Sequence, residues 1–127
     1  MLHYGHAGAP NDAPLRDGDI ALLDMGAEYA CYGADITRSF PIGGSFSADQ
    51  ALVYNAVLAA QDAVFAAVRP GVEWTDMHRL AEKALLAALT NGGLLRGTPE
   101  EQAAAHLGAV FMPHGLGHLL VRPPCFC

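Results

Sequence analysis

The sequence predicts an α+β fold in which an antiparallel hairpin sheet is packed by two long helices. Three observations carry this. An apolar run, Ile20-Ala21-Leu22-Leu23, is followed within a few residues by a second β-rich stretch, Tyr29 to Ile36, across Gly26-Ala27-Glu28. Two later segments repeat apolar residues at three- and four-residue steps. Each of those segments ends in glycine or proline.

Residues 5–19 are rich in Gly, Ala, Pro, Asn and Asp and read as loop, with Asp17-Gly18-Asp19 as a turn. The first strand then runs from Ile20 into Asp24, and Gly26-Ala27-Glu28 is the expected point of reversal. Residues 40–46 form a Pro/Gly loop. Ser47 and Gln50 match a capping box that opens the first long helix, with Val53, Val57, Ala60, Val64 and Val68 as its apolar face. Arg69-Pro70-Gly71 stops it. Thr75 is the expected cap of the second helix, whose stripe is Met77, Leu80, Ala81, Ala84, Leu85, Ala88 and Leu89, and Asn91-Gly92-Gly93 ends it. Thr98-Pro99-Glu100-Glu101 starts a short third helix, with proline in the first helical position. Ala109-Val110-Phe111-Met112 then reads as a strand. The two long helices are expected to bury Val57, Val64, Leu80 and Leu85 against one face of the sheet, leaving apolar surface and an unpaired sheet edge exposed.

Composition excludes several classes. The chain has 127 residues, 52% hydrophobic and 16% charged, with a net charge of −6. This is a globular profile of one-domain size, not a disordered one. The seven Lys and Arg residues are scattered, so no nucleic-acid footprint is present. No apolar run is long enough to span a membrane. Cys31, Cys125 and Cys127 have no framework spacing, and Met1-Leu2-His3-Tyr4 carries no basic region ahead of an apolar core, so a reducing, cytoplasmic location is expected.

Asp24 and Asp35 are the first residues that suggest chemistry. Each sits inside an apolar strand pattern, where aspartate is disfavoured and costly to bury unless paired or ligated. On one continuous strand they would stand ~36 Å apart, at ~3.3 Å per residue. Folded back as a hairpin they can lie nearly opposite, with side chains starting ~5 Å apart. Carboxylates that close repel unless they share a proton or a cation, and a pair of divalent ions ~3.5–4 Å apart would suit them. Spacing alone also permits one Asp to be a turn residue and the other to face solvent.

The second constellation is His114-Gly115-Leu116-Gly117-His118. Two glycines in five residues oppose a helix, and a bend packed close to something fits better. Gly115 stands where a zincin would need its glutamate, which rejects that mechanism. A hydrogen-bonded loop without metal is the other reading. His3 and His6 bracket Tyr4-Gly5, as surface residues or as part of a site; His78 and His106 read as structural or solvated.

Taken as ordered blocks, these residues resemble the metallopeptidases with the pita-bread fold (creatinase/aminopeptidase-like), a family of methionine aminopeptidases, Xaa-Pro aminopeptidases and Xaa-Pro dipeptidases. The blocks are His3-Tyr4-Gly5-His6-Ala7-Gly8, Asp24-Met25-Gly26-Ala27-Glu28-Tyr29, Asp35-Ile36-Thr37-Arg38-Ser39-Phe40-Pro41, and the run from Ala105 to His118. They look most like the eukaryotic prolidases. The resemblance implies a partial pita-bread fold and a dinuclear site, usually two Mn²⁺ ions. Asp24, Asp35 and His118 would be ligands, with Asp35 shared by both ions. His3 and His114 would serve the substrate, a dipeptide with C-terminal proline, whose carbonyl is attacked by metal-activated water. A homodimer is possible in the intact family. The family also takes two glutamates from strands downstream of the His-Gly-Leu-Gly-His block, and residues 121–127 do not resemble the family's continuation. The expectation is a partial catalytic domain over 1–120 with a divergent tail over 121–127, a truncated chain without activity by itself or one that acts by association with a full-length subunit.

Overall fold

The computed structural model describes residues 12–118 and divides the chain into two compact units, one up to Phe46 and one from Ser47 onward. Among the described residues the elements run β1 (Ile20–Leu23), β2 (Glu28–Tyr29), β3 (Tyr32–Gly33), β4 (Arg38–Pro41), α1 (Ala48–Ala67), α2 (Trp74–Asn91), α3 (Pro99–Ala104) and α4 (Gly108–Phe111). The α+β class is as the sequence predicts.

The first unit is a single long hairpin. β1 pairs antiparallel with β4, from Ile20 opposite Pro41 to Leu23 opposite Arg38. β2 pairs with β3, Glu28 opposite Gly33 and Tyr29 opposite Tyr32. Between them the same register continues: the Ile36 N–H donates to the Met25 carbonyl at 2.7 Å and the Ala34 N–H to the Ala27 carbonyl at 2.8 Å. The reversal therefore lies at Ala30-Cys31, not at Gly26-Ala27-Glu28 as expected. Both turn residues have positive φ, 49° and 64°, the pair of left-handed conformations that a two-residue hairpin turn matching strand twist requires. Asn-Gly is the usual signature of such a turn, and its absence conceals this one in the sequence. Gly26 serves a different purpose: a Cβ on it would run into the carbonyl oxygen of Ala34, so glycine is what lets the two strands close up there.

The second unit is helical. Ser47 accepts from the Gln50 N–H and the Gln50 side chain accepts from the Ser47 N–H, the capping box read from the sequence. α1 and α2 pack as a pair around Ala56, Ala60, Ala81, Leu85 and Leu89, with Leu52 and Val64 against this cluster. Small residues at Ala56 and Ala60 allow close approach of the two helices. Val57 is 54% exposed, contrary to expectation, and Val53 and Val68 are exposed with it; Leu85 is buried, Leu80 half-buried. Because α1 is apolar nearly all round, periodicity cannot choose between its faces; the close seam with α2 does, and it selects the alanines. Gly92, just past α2, lies against the Leu52 side chain near the start of α1, as antiparallel neighbours require.

α2 starts two residues earlier than a Thr75 cap would place it, with Glu73 in the cap position and no side-chain cap bond. α3 has the capping box of Thr98 and Glu101 with Pro99 first in the helix. It ends with His106 at φ 50°, whose N–H donates to Ala103 while that of Leu107 donates to Gln102, a left-handed stop of the kind usually filled by glycine. Residues 108–111 form α4, not the expected strand: an apolar run this short is ambiguous between the two, and the turn set by His106 feeds it into a helical one. Gln102, 4% exposed, ties α3 to α2 by donating to the Thr90 hydroxyl at 2.8 Å and to the Arg96 carbonyl at 3.3 Å, while Thr90 donates to Leu86.

Three outcomes are expected. Replacing the turn by Ala30→Asn with Cys31→Gly should raise hairpin stability by about 1 kcal/mol or more, read as a higher urea midpoint, because it relieves two strained left-handed residues. Gly26→Ala should cost more than about 1 kcal/mol and abolish amide-exchange protection at Ile36, whose bond to Met25 lies beside the collision. Gln102→Ala should cost ~1–3 kcal/mol in urea unfolding, against less than ~0.5 for the exposed control Glu100→Ala.

Candidate metal centre

Strand alternation decides what the hairpin displays. Carried through from both ladders, the register sets Asp24 opposite Thr37 and Gly26 opposite Asp35. Asp24 and Asp35 are thus diagonal neighbours on one face, close to the nearly opposite arrangement expected from the sequence. The small correction follows from the turn: moving the reversal to Ala30-Cys31 fixes every pair downstream of it.

Thr37 stands between the two carboxylates. Its Oγ1 is 3.4 Å from Asp24 Oδ1 and 3.4 Å from Asp35 Oδ1, so the two oxygens lie within twice that distance of each other. Both aspartates are exposed and Thr37 is half-buried. The same alternation puts Leu22, Glu28 and Ser39 on the aspartate face. The opposite face carries Leu23, Met25, Tyr29, Tyr32, Ile36, Arg38 and Phe40. The hairpin has one face with the acidic pair and one that is apolar apart from Arg38.

Thr37 is the residue that the sequence reading passed over. The signal was present, since Asp35, Thr37 and Ser39 alternate as polar positions on one strand. Glu28, expected at the reversal, lies in β2, and alternation places it on the same face. Among the described residues, no three His, Cys, Asp or Glu side chains gather closely enough to hold an ion. The hairpin by itself therefore offers a pair of carboxylates, hard oxygen donors of the type that suits Mn²⁺ or Mg²⁺ better than a thiolate-seeking ion.

The histidine block belongs to the second unit. Leu116 packs against the α1–α2 core, and Gly117 lies over the Trp74 indole, where a Cβ would come within 3.3 Å of Cζ2. Those two anchors explain the glycine at 117, where the chain passes close to α2 while Leu116 turns inward. His114 and His118 are both exposed. His114 Nδ1 is 2.8 Å from its neighbour's carbonyl, Gly115 O, and since a carbonyl only accepts, Nδ1 carries the proton and Nε2 is the acceptor of the neutral ring. His3 falls outside the described residues. His78 pairs with Glu82 at 3.5 Å, and His106 ends α3, so both have structural employment. A cavity of about 710 Å³ between α2, α3 and α4, walled by Arg79, Lys83, Gln102 and His106, is lined by none of the predicted site residues.

Comparison with known proteins identifies the family. Residues 1–122 match the Metallopeptidase family M24. The chain is 58% identical to the Xaa-Pro dipeptidase of Homo sapiens over 120 residues, covering 94% of this chain and 24% of that protein. It is 42% identical to a protein described as a probable Xaa-Pro aminopeptidase of Pyrenophora teres f. teres over 119 residues, 94% of this chain and 25% of that one. Among solved structures it is similar to Escherichia coli aminopeptidase P in complex with substrate, at a TM-score of 0.80 and 33% identity, covering 94% of this chain and 26% of that one. A zinc-substituted form of the same enzyme in complex with product gives the same TM-score and identity. The chain thus spans about a quarter of the length of the relatives it matches. The fold that these neighbours share is the pita-bread fold, of which this chain covers part. With that match over nearly its whole length, the chain belongs to the Metallopeptidase family M24.

Proposed function

We propose that this chain supplies part of a site for metal-dependent hydrolysis of dipeptides with C-terminal proline. Residues 1–120 would be a portion of the catalytic domain and 121–127 a tail. The observation that carries the reading is the pair Asp24 and Asp35 on one hairpin face around a shared hydroxyl, in a chain of a metallopeptidase family. Asp24 and Asp35 would hold divalent metal, Asp35 shared between two ions, with His118 as the imidazole ligand and Mn²⁺ as the ion that an oxygen-rich set favours. A bound divalent ion supplies Lewis-acid polarisation and lowers the pKa of water.

The chain's own residues would do the rest. The carboxylates fix where positive charge sits. His114, with Nδ1–H donated to the Gly115 carbonyl, would bind the substrate through Nε2 as an acceptor from a substrate N–H. His3 would serve the substrate beside it. Asp24, Asp35 and His118 are three ligands for two ions, too few to offset the repulsion between two dications. The 127-residue chain taken alone should therefore bind at most one Mn²⁺ weakly.

A second reading is association with a full-length subunit of the same family, in a cytoplasmic setting. Apolar side chains exposed on α1, among them Val57 at 54% and Phe65 at 69%, favour it. Among the described residues no helix is long and apolar enough to cross a membrane.

Calorimetry on the purified chain should show fewer than two tight Mn²⁺ equivalents, with the residual binding removed by Asp35→Asn. A Gly-Pro assay should show no turnover that depends on Asp35. Robust Mn²⁺-dependent turnover lost in Asp35→Asn would overturn this and mean that further ligands come from a partner chain or from other residues of this one. Retention on an immobilised full-length Xaa-Pro dipeptidase distinguishes the second reading.

A further inference from the structure

The geometry points to Thr37 as a positioning residue for the metal-binding carboxylates, a role that rests on the metal-site reading above. Three facts converge on it. Its hydroxyl is equidistant, at 3.4 Å, from one oxygen of Asp24 and one oxygen of Asp35. Its place in the hairpin is fixed twice over, by the ladder pair Leu23–Arg38 on one side of it and by the Ile36–Met25 backbone bond on the other. Its side chain is half-buried and β-branched, so χ1 has few choices.

A hydroxyl has one proton, and here it has two carboxylates to offer it to. At 3.4 Å both contacts are long, and the single proton is donated to one carboxylate at a time. This matters because like charges on one strand face repel. A donor between them offsets part of that repulsion, and it faces Oδ1 of each carboxylate, donating to one at a time. Thr37 thereby sets which oxygen of each aspartate is turned toward the other side chain and which is presented to a cation. Groups that hydrogen-bond to metal-ligating carboxylates orient them, and losing one typically lowers affinity 10–100-fold. The backbone places the aspartates; Thr37 aims them.

The alternative is that Thr37 is only a well-placed strand residue. The two roles respond differently to the same change. Valine keeps the shape and the β preference while removing the hydroxyl, so a strand role survives Thr37→Val and an aiming role does not. Serine keeps the hydroxyl with less shape.

The test is Mn²⁺ titration by calorimetry on the full 127-residue chain, alongside thermal unfolding without metal. Thr37→Val should weaken Mn²⁺ binding about tenfold, with the metal-free unfolding midpoint equal to or above that of the native sequence. Thr37→Ser should recover most of the affinity. Thr37→Ala, which removes the hydroxyl without valine's bulk, must show the same loss and stands in if the valine variant does not fold. Undiminished affinity in Thr37→Val, while Asp35→Asn abolishes binding, overturns this role and leaves the metal site standing. Parallel losses of affinity and metal-free stability assign Thr37 to the strand alone. A native chain that binds no Mn²⁺, or whose binding ignores Asp35→Asn, removes the metal-site reading and this role with it.

Discussion

The candidate metal centre depends on the register of one antiparallel ladder. Backbone hydrogen bonds on both sides of residues 24–27 keep a single register from Ile20 to the turn and back to Pro41. A slip of one residue would turn Asp24 or Asp35 to the apolar face, where a charged carboxylate would face Leu23, Met25 and Ile36. Two features hold the register in place. The tight turn at Ala30-Cys31 fixes it at one end, and Gly26 allows the strands to approach between the two aspartates. Chemistry and backbone constraint are therefore interleaved within a few residues: Asp24, Gly26, Asp35 and Thr37 all belong to the same patch.

The helical unit follows a different logic. Its core is one seam, with alanines on α1 facing leucines on α2, and the histidine block is drawn onto that seam by Leu116 and onto the start of α2 by Gly117 against Trp74. A buried amide, Gln102, fastens the short helix α3 to α2, and each of its bonds goes to a group that would otherwise need another partner. What the seam leaves exposed is apolar: Val53, Val57, Leu58 and Phe65 on α1. A helix apolar nearly all round usually lies between two layers. The relatives, about four times as long as this chain, are large enough to provide a second one.

Local signals in the sequence were legible where one residue type has one physical use. Ser47 with Gln50 and Thr98 with Pro99 and Glu101 cap helices because few other arrangements satisfy the first N–H groups, and both caps are found as read. Asp24 and Asp35 stood out because charge inside a strand pattern demands a reason. The ordered blocks around them led to the metallopeptidase family, which the match over residues 1–122 bears out.

Ambiguous residues needed the tertiary structure. Ala30-Cys31 carries no turn signature, so the reversal was placed at the nearest glycine; strand pairing, not local preference, forces those two residues into positive φ. Val57 and Ala56 both fit an apolar helix face, and only the approach of α2 decides that the small side chain goes inside. Residues 108–111 could be strand or helix until the left-handed stop at His106 directs them. The sequence by itself determined the fold class, the starts of α1 and α3 and the acidic pair, because those depend on residue chemistry within a few positions. The tertiary structure decided the exact partner of each aspartate and brought Thr37 between them, because cross-strand neighbours are fixed by pairing between distant segments and not by the order of the chain.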